Sequence, residues 1–306
     1  MERAYPRLIL GCGNFGGIGS APAFFGRGET LERALELMDA AWDAGIRWFD
    51  TADAYGGGRS ETFIGEWIRS RRPDGLGLTT KTFNPLQEGG DHGLAPARVR
   101  RQLESSLQRL GVERVDLYLA HDWDPDVPIS ETAAVLDELV EAGKIGAYGL
   151  SNVAGRQLRE ALAAGPFAAV QNSYSLLDRE AEREVLPLCV ERGLAFQAFG
   201  PLAGGWLTGK YRRGEPPPQG SRMTQRPGPY EHLRTGETFD RLERLEQLGD
   251  PATLALAWLL ADPRVGVVLG PRRPEHLQPA LDALAAPLTA EARDALSADF
   301  SAAAGS

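Results

Sequence analysis

Cysteine and histidine are scarce in this chain of 306 residues, and net positive charge is absent. Two cysteines, Cys12 and Cys189, are too few to cross-link a chain of this size, which fits a reducing compartment. With only four histidines the sequence offers no clustered ligand set, so we expect no metal centre. The formal charge of −9 argues against nucleic acid as a partner, because phosphate binding needs a basic face.

Long apolar runs, a signal peptide and the motif of a serine hydrolase are missing as well. No stretch reaches the length of a transmembrane helix, and Met1 is not followed by the apolar run and cleavage site of a signal peptide. We therefore expect a soluble cytoplasmic protein without a membrane partner. No Gly-x-Ser-x-Gly motif of a serine hydrolase occurs. Lysine stands only at positions 81, 144 and 210, and the other basic residues are arginines, whose pKa proteins cannot tune.

Short apolar runs alternate with amphipathic stretches along the chain. Eight runs are typical of buried strands: Leu8–Leu10, Arg47–Phe49, Gly77–Thr80, Val115–Leu119, Gly146–Leu150, Ala168–Val170, Ala195–Ala198 and Gly266–Leu269. Helical spacing marks a segment that opens at Thr30, and also Ala97–Leu110, Ile129–Glu141, Ala154–Ala163, Arg179–Arg192, Pro251–Ala261 and Pro274–Leu284. The alternation predicts an α/β fold, a (β/α)8 TIM barrel forming one domain over residues 1–306, with a C-terminal helical extension.

A doubly wound open sheet is the competing fold. Gly11 to Gly17 superficially resembles the phosphate loop that comes after the first strand of such a sheet. However, Gly26 and Gly28 interrupt the next segment of the chain, and no helix begins until about Thr30. We therefore favour the barrel.

The segment 200–235 departs from the alternation, because it is long and rich in proline and glycine. A structureless loop of this length inside a compact domain is usually functional or disordered. It comes after the seventh strand, on the barrel face where active sites form. We expect a mobile lid over a ligand, with a disordered insertion as the alternative.

Four polar residues stand at or just beyond the ends of predicted strands. Asp50, Lys81 and His121 follow the second, third and fourth strands, and Tyr55 lies in the loop after the second. Strand ends converge on one mouth of a barrel, so these side chains can meet. The set suits carbonyl reduction. A phenol can donate the proton that the carbonyl oxygen needs, and an ammonium held by a carboxylate lowers the pKa of that phenol. The imidazole can orient the carbonyl oxygen.

Each of these residues also has an ordinary interpretation when it is taken alone. Tyr55 could be a half-buried loop aromatic, Asp50 a turn cap and Lys81 a solvated charge. His121 could be a loop histidine or half of a metal site. The combination carries the inference.

The order of the motifs resembles the aldo-keto reductase family over nearly the whole chain. Asp50-Thr-Ala-Asp-Ala-Tyr-Gly56 with Ser60-Glu61 is similar to its first signature, and Val115-Asp-Leu-Tyr-Leu-Ala-His121 to its second. Gly143 to Asn152 is similar to the family's fifth-strand region. The stretch from Gly200 to Tyr211 resembles the aflatoxin-aldehyde reductase and potassium-channel β-subunit branches.

This resemblance implies hydride transfer with a nicotinamide cofactor lying across the mouth. At the nicotinamide it implies that Ser151, Asn152 and Gln171 contact the carboxamide with Asp50 beside it, and that Phe199 stacks on the ring. It implies that the pyrophosphate lies along Gly200, Leu202, Ala203, Gly204 and Lys210. In the first loop it implies cofactor contacts from Gly13, Asn14 and Phe15. Gly270, Arg272 and His276 match the segment that binds the adenosine end. Arg272 can pair with a 2'-phosphate, which favours NADPH over NADH. Pro279 and Ala280 stand where relatives often have an acid and an asparagine that contact the adenosine.

Aromatic residues in the mouth loops predict an apolar pocket for a bulky or ring-containing carbonyl substrate. Phe25 and Trp123 are the chosen candidates, with Phe24, Phe83 and Trp206 nearby in the loops. The expected activity is NADPH-dependent reduction of an aldehyde or ketone, with Tyr55 as proton donor. A cofactor-sensing regulatory subunit with little turnover and a sugar-modifying reductase of a biosynthetic pathway are the alternatives. The sequence does not give the oligomeric state.

Overall fold

The computed structural model describes residues 6–300, and the outermost positions of the expected 1–306 domain lie outside that range. Within it, eight parallel strands close into a barrel in chain order, each bonded to the next and the eighth to the first. They are β1 Leu8–Gly11, β2 Trp48–Asp50, β3 Gly77–Thr82, β4 Val115–Ala120, β5 Ile145–Ser151, β6 Ala169–Ser173, β7 Ala195–Phe199 and β8 Val265–Leu269. The TIM barrel is confirmed, and the doubly wound sheet is wrong.

Helices surround the barrel and bury their apolar stripes against it. They are α1 Leu31–Asp43, α2 Arg59–Arg71, α3 Pro96–Leu110, α4 Ile129–Glu141, α5 Gly155–Ala164, α6 Val185–Arg192, α7 Arg222–Gln225, α8 Gly236–Leu248, α9 Pro251–Leu260, α10 Gln278–Ala285 and α11 Ala290–Asp299. Thr30 caps α1, because its side chain accepts from the amide of Arg33. Gly111 ends α3 with a left-handed φ of 69°. The predicted C-terminal extension is α11.

Several strands run further than their apolar runs. β3 continues through Lys81 to Thr82, and β6 continues through Gln171 to Ser173. The ladder pairs these polar residues with the neighbouring strand, as Lys81 pairs with Leu119 and Gln171 with Gln197. Hydrophobicity alone misses them because polar side chains at the top of a barrel face the active-site mouth.

Two predicted helices are shorter than expected. The segment 179–192 contains a 3-10 turn, Glu180–Glu182, before α6 begins at Val185. Pro187 lacks the amide hydrogen that a continuous helix would need there, so it fits only in the first turn of α6. The segment 274–284 divides in the same way into Pro274–Leu277 and α10, with Pro279 near the start of α10.

The barrel has an inner and an outer side that alternate along each strand. Phe196 packs outward against Tyr174, at 5.8 Å between ring centroids. A small internal cluster of Leu117, Leu119 and Ala169 fills the interior. Asp50 and Lys81 share that inward direction at the upper end of β2 and β3.

The segment 200–235 is not structureless. It contains two 3-10 segments, Ala203–Thr208 and Gly228–Leu233, with α7 between them. Side chains from α7 and the residue after it contact the loop that comes after β1. Proline and glycine break this segment into short pieces, but long-range hydrogen bonds order it.

Candidate active site

A buried ion pair lies at the upper end of the barrel interior. Lys81 Nζ lies 2.5 Å from Asp50 Oδ1 and donates to the carbonyl of Thr51 at 2.9 Å. Lys81 is 0% exposed and Asp50 is 2% exposed. Burial lowers the pKa of Lys81, but Asp50 and Tyr55 outweigh burial and raise it overall. Lys81 is therefore a fixed ammonium at neutral pH.

The phenol of Tyr55 completes the cluster with His121. Tyr55 OH lies 3.3 Å from Lys81 Nζ and 3.5 Å from His121 Nε2. The two rings meet edge to face, with 5.4 Å between their centroids. The four residues that the sequence selected therefore form one contiguous site, because neighbouring parallel strands deliver them to the same mouth.

Burial decides the protonation of the two rings. It raises the pKa of Tyr55, and the lowering effect of Lys81 does not compensate, so the expectation of a lowered phenol pKa is wrong for the net direction. Burial, followed by the charge of Lys81, holds the pKa of His121 well below its usual range. At neutral pH the site thus contains a protonated phenol and a neutral imidazole.

Amide side chains extend the cluster along the fifth and sixth strands. Gln171 Nε2 donates to Asp50 Oδ2 at 2.7 Å, so Asp50 accepts from Lys81 through one oxygen and from Gln171 through the other. Asn152 follows β5 with a left-handed φ of 56°. Its Nδ2 donates to the carbonyl of His121 at 2.8 Å and to Ser151 Oγ at 3.3 Å. This contact fixes the loop that carries the histidine.

Three cations gather on the rim beside this site. Partial desolvation lowers the pKa of Lys210, and the nearby charges of Arg222 and Arg272 lower it further. Arg272 Nε pairs with Glu29 at 2.6 Å. Among the residues that the structure describes, neither Lys210 nor Arg222 forms an ion pair with a carboxylate. Two cations without carboxylate partners, next to a third cation, can together bind an anion.

The comparisons with known proteins agree with this geometry. The Aldo/keto reductase family model matches residues 7–298. The oxidoreductase YrpG of Bacillus subtilis is 36% identical over 299 residues, covering 91% of this chain and 87% of the relative. The NADH-specific methylglyoxal reductase of Escherichia coli is 34% identical over 292 residues, covering 87% of each chain. A glycerol dehydrogenase structure from Gluconobacter oxydans, 28% identical, matches with a TM-score of 0.82 over 96% of this chain and 91% of its own.

The chain belongs to the aldo/keto reductase family. It is an oxidoreductase by that membership, and the resemblance of its motifs to the family, though not to a particular branch, is confirmed.

In this aldo/keto reductase the loop after β1 lies close to the cluster of Asp50, Tyr55, Lys81 and His121. The backbone at Gly13 lies against Tyr55, since a Cβ added there would stand 3.5 Å from the ring. Asn14 is 8% exposed, and its Oδ1 accepts from Arg222 Nη2 at 2.8 Å. The side chain of Phe15 is buried in the main core, so only its backbone can face a ligand.

The loop after β7 presents the expected cofactor stretch. Phe199 and Leu202 are half-buried, whereas Ala203 is buried with a left-handed φ of 47°. The ring of Tyr230 lies over Gly204 so closely that an added Cβ would approach it to 2.7 Å. Gly200, also left-handed at 64°, turns the chain away from the strand. The contact with Tyr230 leaves no space for a side chain at position 204, whereas at position 200 the left-handed φ alone favours glycine.

The adenosine-end candidates lie after β8. Arg272 donates to the carbonyl of Gly220 and to Gln225 Oε1, besides its pair with Glu29. The backbone amide of Arg272 donates to His276 Nδ1 at 3.2 Å, and Gly270 faces Asn14. Ala280 is fully buried within α10, so it offers no surface for a ligand.

The two candidate substrate residues differ in their surroundings. Trp123 is half-buried and packs against the main core from the loop after β4. Phe25 is half-buried and lies against Gly57, where an added Cβ would stand 3.0 Å from its ring. Phe24 lies under two guanidinium groups, Arg27 and Arg226.

Sequence reasoning missed Arg222, Arg226 and Glu29. No motif or periodicity marks them, because their positions depend on contacts between loops that are about 200 residues apart. Within the described residues, no group of His, Cys, Asp and Glu is arranged to hold a metal. In the same range, no helix has both the length and the apolar character that a membrane crossing requires.

Proposed function

We propose that this protein is an NADPH-dependent reductase of aldehydes or ketones, with Tyr55 as the proton donor. One observation carries the proposal: the phenol hydroxyl lies within 3.5 Å of both a buried ammonium and a neutral imidazole. Such a constellation supplies a proton and stabilises the anion that its departure leaves.

The residues around the mouth fit a phosphorylated dinucleotide. Lys210 and Arg222 lack carboxylate partners in the described chain, and Arg272 stands beside them. These three cations would hold the phosphates, and Arg272 is our candidate for the 2'-phosphate. Ser151, Asn152 and Gln171 would hold the carboxamide, and the half-buried face of Phe199 would pack on the ring. When bound, the reduced nicotinamide supplies the hydride.

Proton delivery depends on the raised pKa of Tyr55 and on the ammonium of Lys81, whose pKa is also raised. Because burial raises the pKa of Tyr55, the phenol remains protonated at neutral pH and is ready to donate. Lys81 then faces the phenolate at short range and stabilises it, while Asp50 keeps the ammonium in place. The reverse oxidation would need the phenolate, which the same burial disfavours. The site therefore favours reduction at neutral pH.

His121 positions the substrate in this proposal. As a neutral imidazole it has one N–H and one lone pair, and its Nε2 faces the Tyr55 hydroxyl. A carbonyl oxygen placed between the phenol and the imidazole would accept from both. Burial, followed by the charge of Lys81, keeps a second proton off the imidazole, so His121 does not compete with Tyr55 as the acid.

NADH is the second candidate cofactor. A relative that is 34% identical carries the description NADH-specific, and Arg272 in this chain is already paired with Glu29. We favour NADPH because two further cations lie beside Arg272. A small-molecule carbonyl substrate and a cytoplasmic location complete the proposal.

The test is a steady-state assay of NADPH and NADH oxidation against aldehydes, ketones and sugar nucleotides. We expect turnover by the wild type and a loss of at least about a hundredfold in Tyr55→Phe, because general acid catalysis contributes about that much. Tyr148→Phe is the matched control, since that hydroxyl contacts Asp137 on the outer side of the barrel. Robust turnover by Tyr55→Phe would contradict the proton-donor assignment. Tight NADPH binding without turnover on any substrate would favour a sensor subunit instead.

A further inference from the structure

Gln197 occupies an unusual place inside the barrel. It lies on β7 between Phe196 and Ala198, is 1% exposed, and pairs in register with Gln171. Phe196 packs outward against Tyr174, so alternation turns Gln197 into the barrel. The interior below it is apolar, with Leu119 and Ala169 in the internal cluster.

Gln197 forms the end of a hydrogen-bonded chain that starts at the catalytic ion pair. Gln171 Nε2 donates to Asp50 Oδ2 at 2.7 Å and to Gln197 Oε1 at 2.9 Å. An amide nitrogen has two hydrogens, so both donors of Gln171 are used. The carbonyl oxygen of Gln171 is left on the side away from these two acceptors, and it can only accept.

The amide nitrogen of Gln197 costs folding free energy where it lies. Its Nε2 is buried and has no hydrogen-bond partner among the described residues. An unsatisfied buried amide destabilises a fold, and an apolar side chain of similar size would avoid that cost. A glutamine here is therefore poorly explained by packing and better explained by what its oxygen does for Gln171.

We propose that Gln197 is a positioning residue that holds the Gln171 amide with its oxygen toward the mouth, so that the site selects a nicotinamide ring carrying an N–H donor. Asp50 alone fixes one hydrogen of the amide and leaves its plane free to turn. Gln197 fixes the second hydrogen and with it the direction of the oxygen. This inference rests on the proposed nicotinamide function and specifies the chemistry of its carboxamide contact.

The experiment measures dissociation constants by calorimetry for three ligands. They are NADP⁺, its 3-acetylpyridine analogue, which has a methyl ketone in place of the carboxamide, and 2'-phospho-ADP-ribose, which lacks the ring. We expect the wild type to bind NADP⁺ about tenfold more tightly than the acetylpyridine analogue, the equivalent of one good hydrogen bond. Gln197→Leu should reduce that ratio to about threefold or less and leave 2'-phospho-ADP-ribose binding unchanged.

The matched control is Gln102→Leu in α3, because Gln102 is also buried with an unpartnered amide atom but lies outside the barrel interior. Its ligand ratio should equal that of the wild type. If Gln197→Leu does not fold, Gln197→Met keeps the side-chain length without the amide and permits the same measurement.

The outcomes separate the two proposals. An unchanged ratio in folded Gln197→Leu overturns the positioning role. Equal binding of NADP⁺ and the acetylpyridine analogue by the wild type also overturns it but leaves the proposed function standing. Failure of the wild type to bind either dinucleotide overturns the proposed function, and the positioning role with it.

Discussion

Removing the ammonium at the centre of the site should destabilise the fold as well as abolish activity. Lys81 is fully buried, and its partner Asp50 is 2% exposed. Lys81→Met leaves that carboxylate buried with Gln171 as its remaining side-chain donor. Loss of one member of a buried pair costs about 3–5 kcal/mol of folding free energy, because the remaining charge is uncompensated.

The measurement is urea unfolding followed by tryptophan fluorescence at pH 8. Lys81→Met should unfold at a lower urea concentration than the wild type. The double variant Lys81→Met/Asp50→Asn should recover part of the stability, since it contains no stranded charge. Neither variant should regain turnover.

A surface pair gives the control. Lys144 and Glu104 form an ion pair whose side chains are 39% and 47% exposed. Lys144→Met should cost less than about 1 kcal/mol, because water screens such pairs. Two outcomes would refute the reasoning that an unpaired buried carboxylate destabilises the fold. One is a double variant no more stable than Lys81→Met alone, and the other is a Lys81→Met variant as stable as the wild type.

Four further predictions concern pH, cofactor and substrate. Because burial raises the pKa of Tyr55, carbonyl reduction should persist through neutral pH and fall only at alkaline pH, where alcohol oxidation should rise; a reduction rate already declining below pH 8 would argue against it. Burial, only partly offset by the hydrogen bond from Thr82, raises the pKa of Asp53 from 3.8 to about 7. The folded state therefore favours the protonated acid, and the contribution of Asp53 to stability should be lost, by at most about 4 kcal/mol, as the pH rises from about 4 to about 7. In urea melts, the stability of the wild type relative to Asp53→Asn should therefore fall over that range. Arg272→Gln should raise the KM for NADPH about tenfold with little change for NADH, whereas Arg273→Gln should alter neither; equal effects on both cofactors would contradict the 2'-phosphate assignment. Trp123→Ala should lower kcat/KM for bulky carbonyls more than for small ones, and indifference across both would remove Trp123 from the substrate pocket.

The protonation states of Tyr55 and His121 could be predicted only in part from the residue types. The pairing of Lys81 with Tyr55 could be inferred from strand ends, and the ammonium does lower the phenol pKa. The net direction could not be inferred, because it depends on how completely the surrounding barrel removes water. For His121 the same burial acts together with the charge of Lys81, so its neutrality also required the structure.

The contacts between loops could not be predicted from the sequence either. Asn14 was selected through its motif, but its partner Arg222 lies 208 positions further along the chain. A proline- and glycine-rich stretch carries no periodic signal, so neither its short helices nor its arginines could be assigned a place. Gln197 was likewise unmarked, since a polar residue in a short strand gains meaning only from the groups that face it across the barrel.

The barrel and the four polar residues at its mouth could be predicted from the amino-acid sequence. Apolar periodicity fixes the alternation of strands and helices, and parallel strands in a closed barrel must deliver their ends to one face. Only the three-dimensional packing shows which groups are desolvated, which cations among the described residues lack a carboxylate partner and how the amides are oriented. Those properties arise from close approach between residues distant in sequence, and they fix the charges and hydrogen-bond directions on which the chemistry of Asp50, Tyr55, Lys81 and His121 depends.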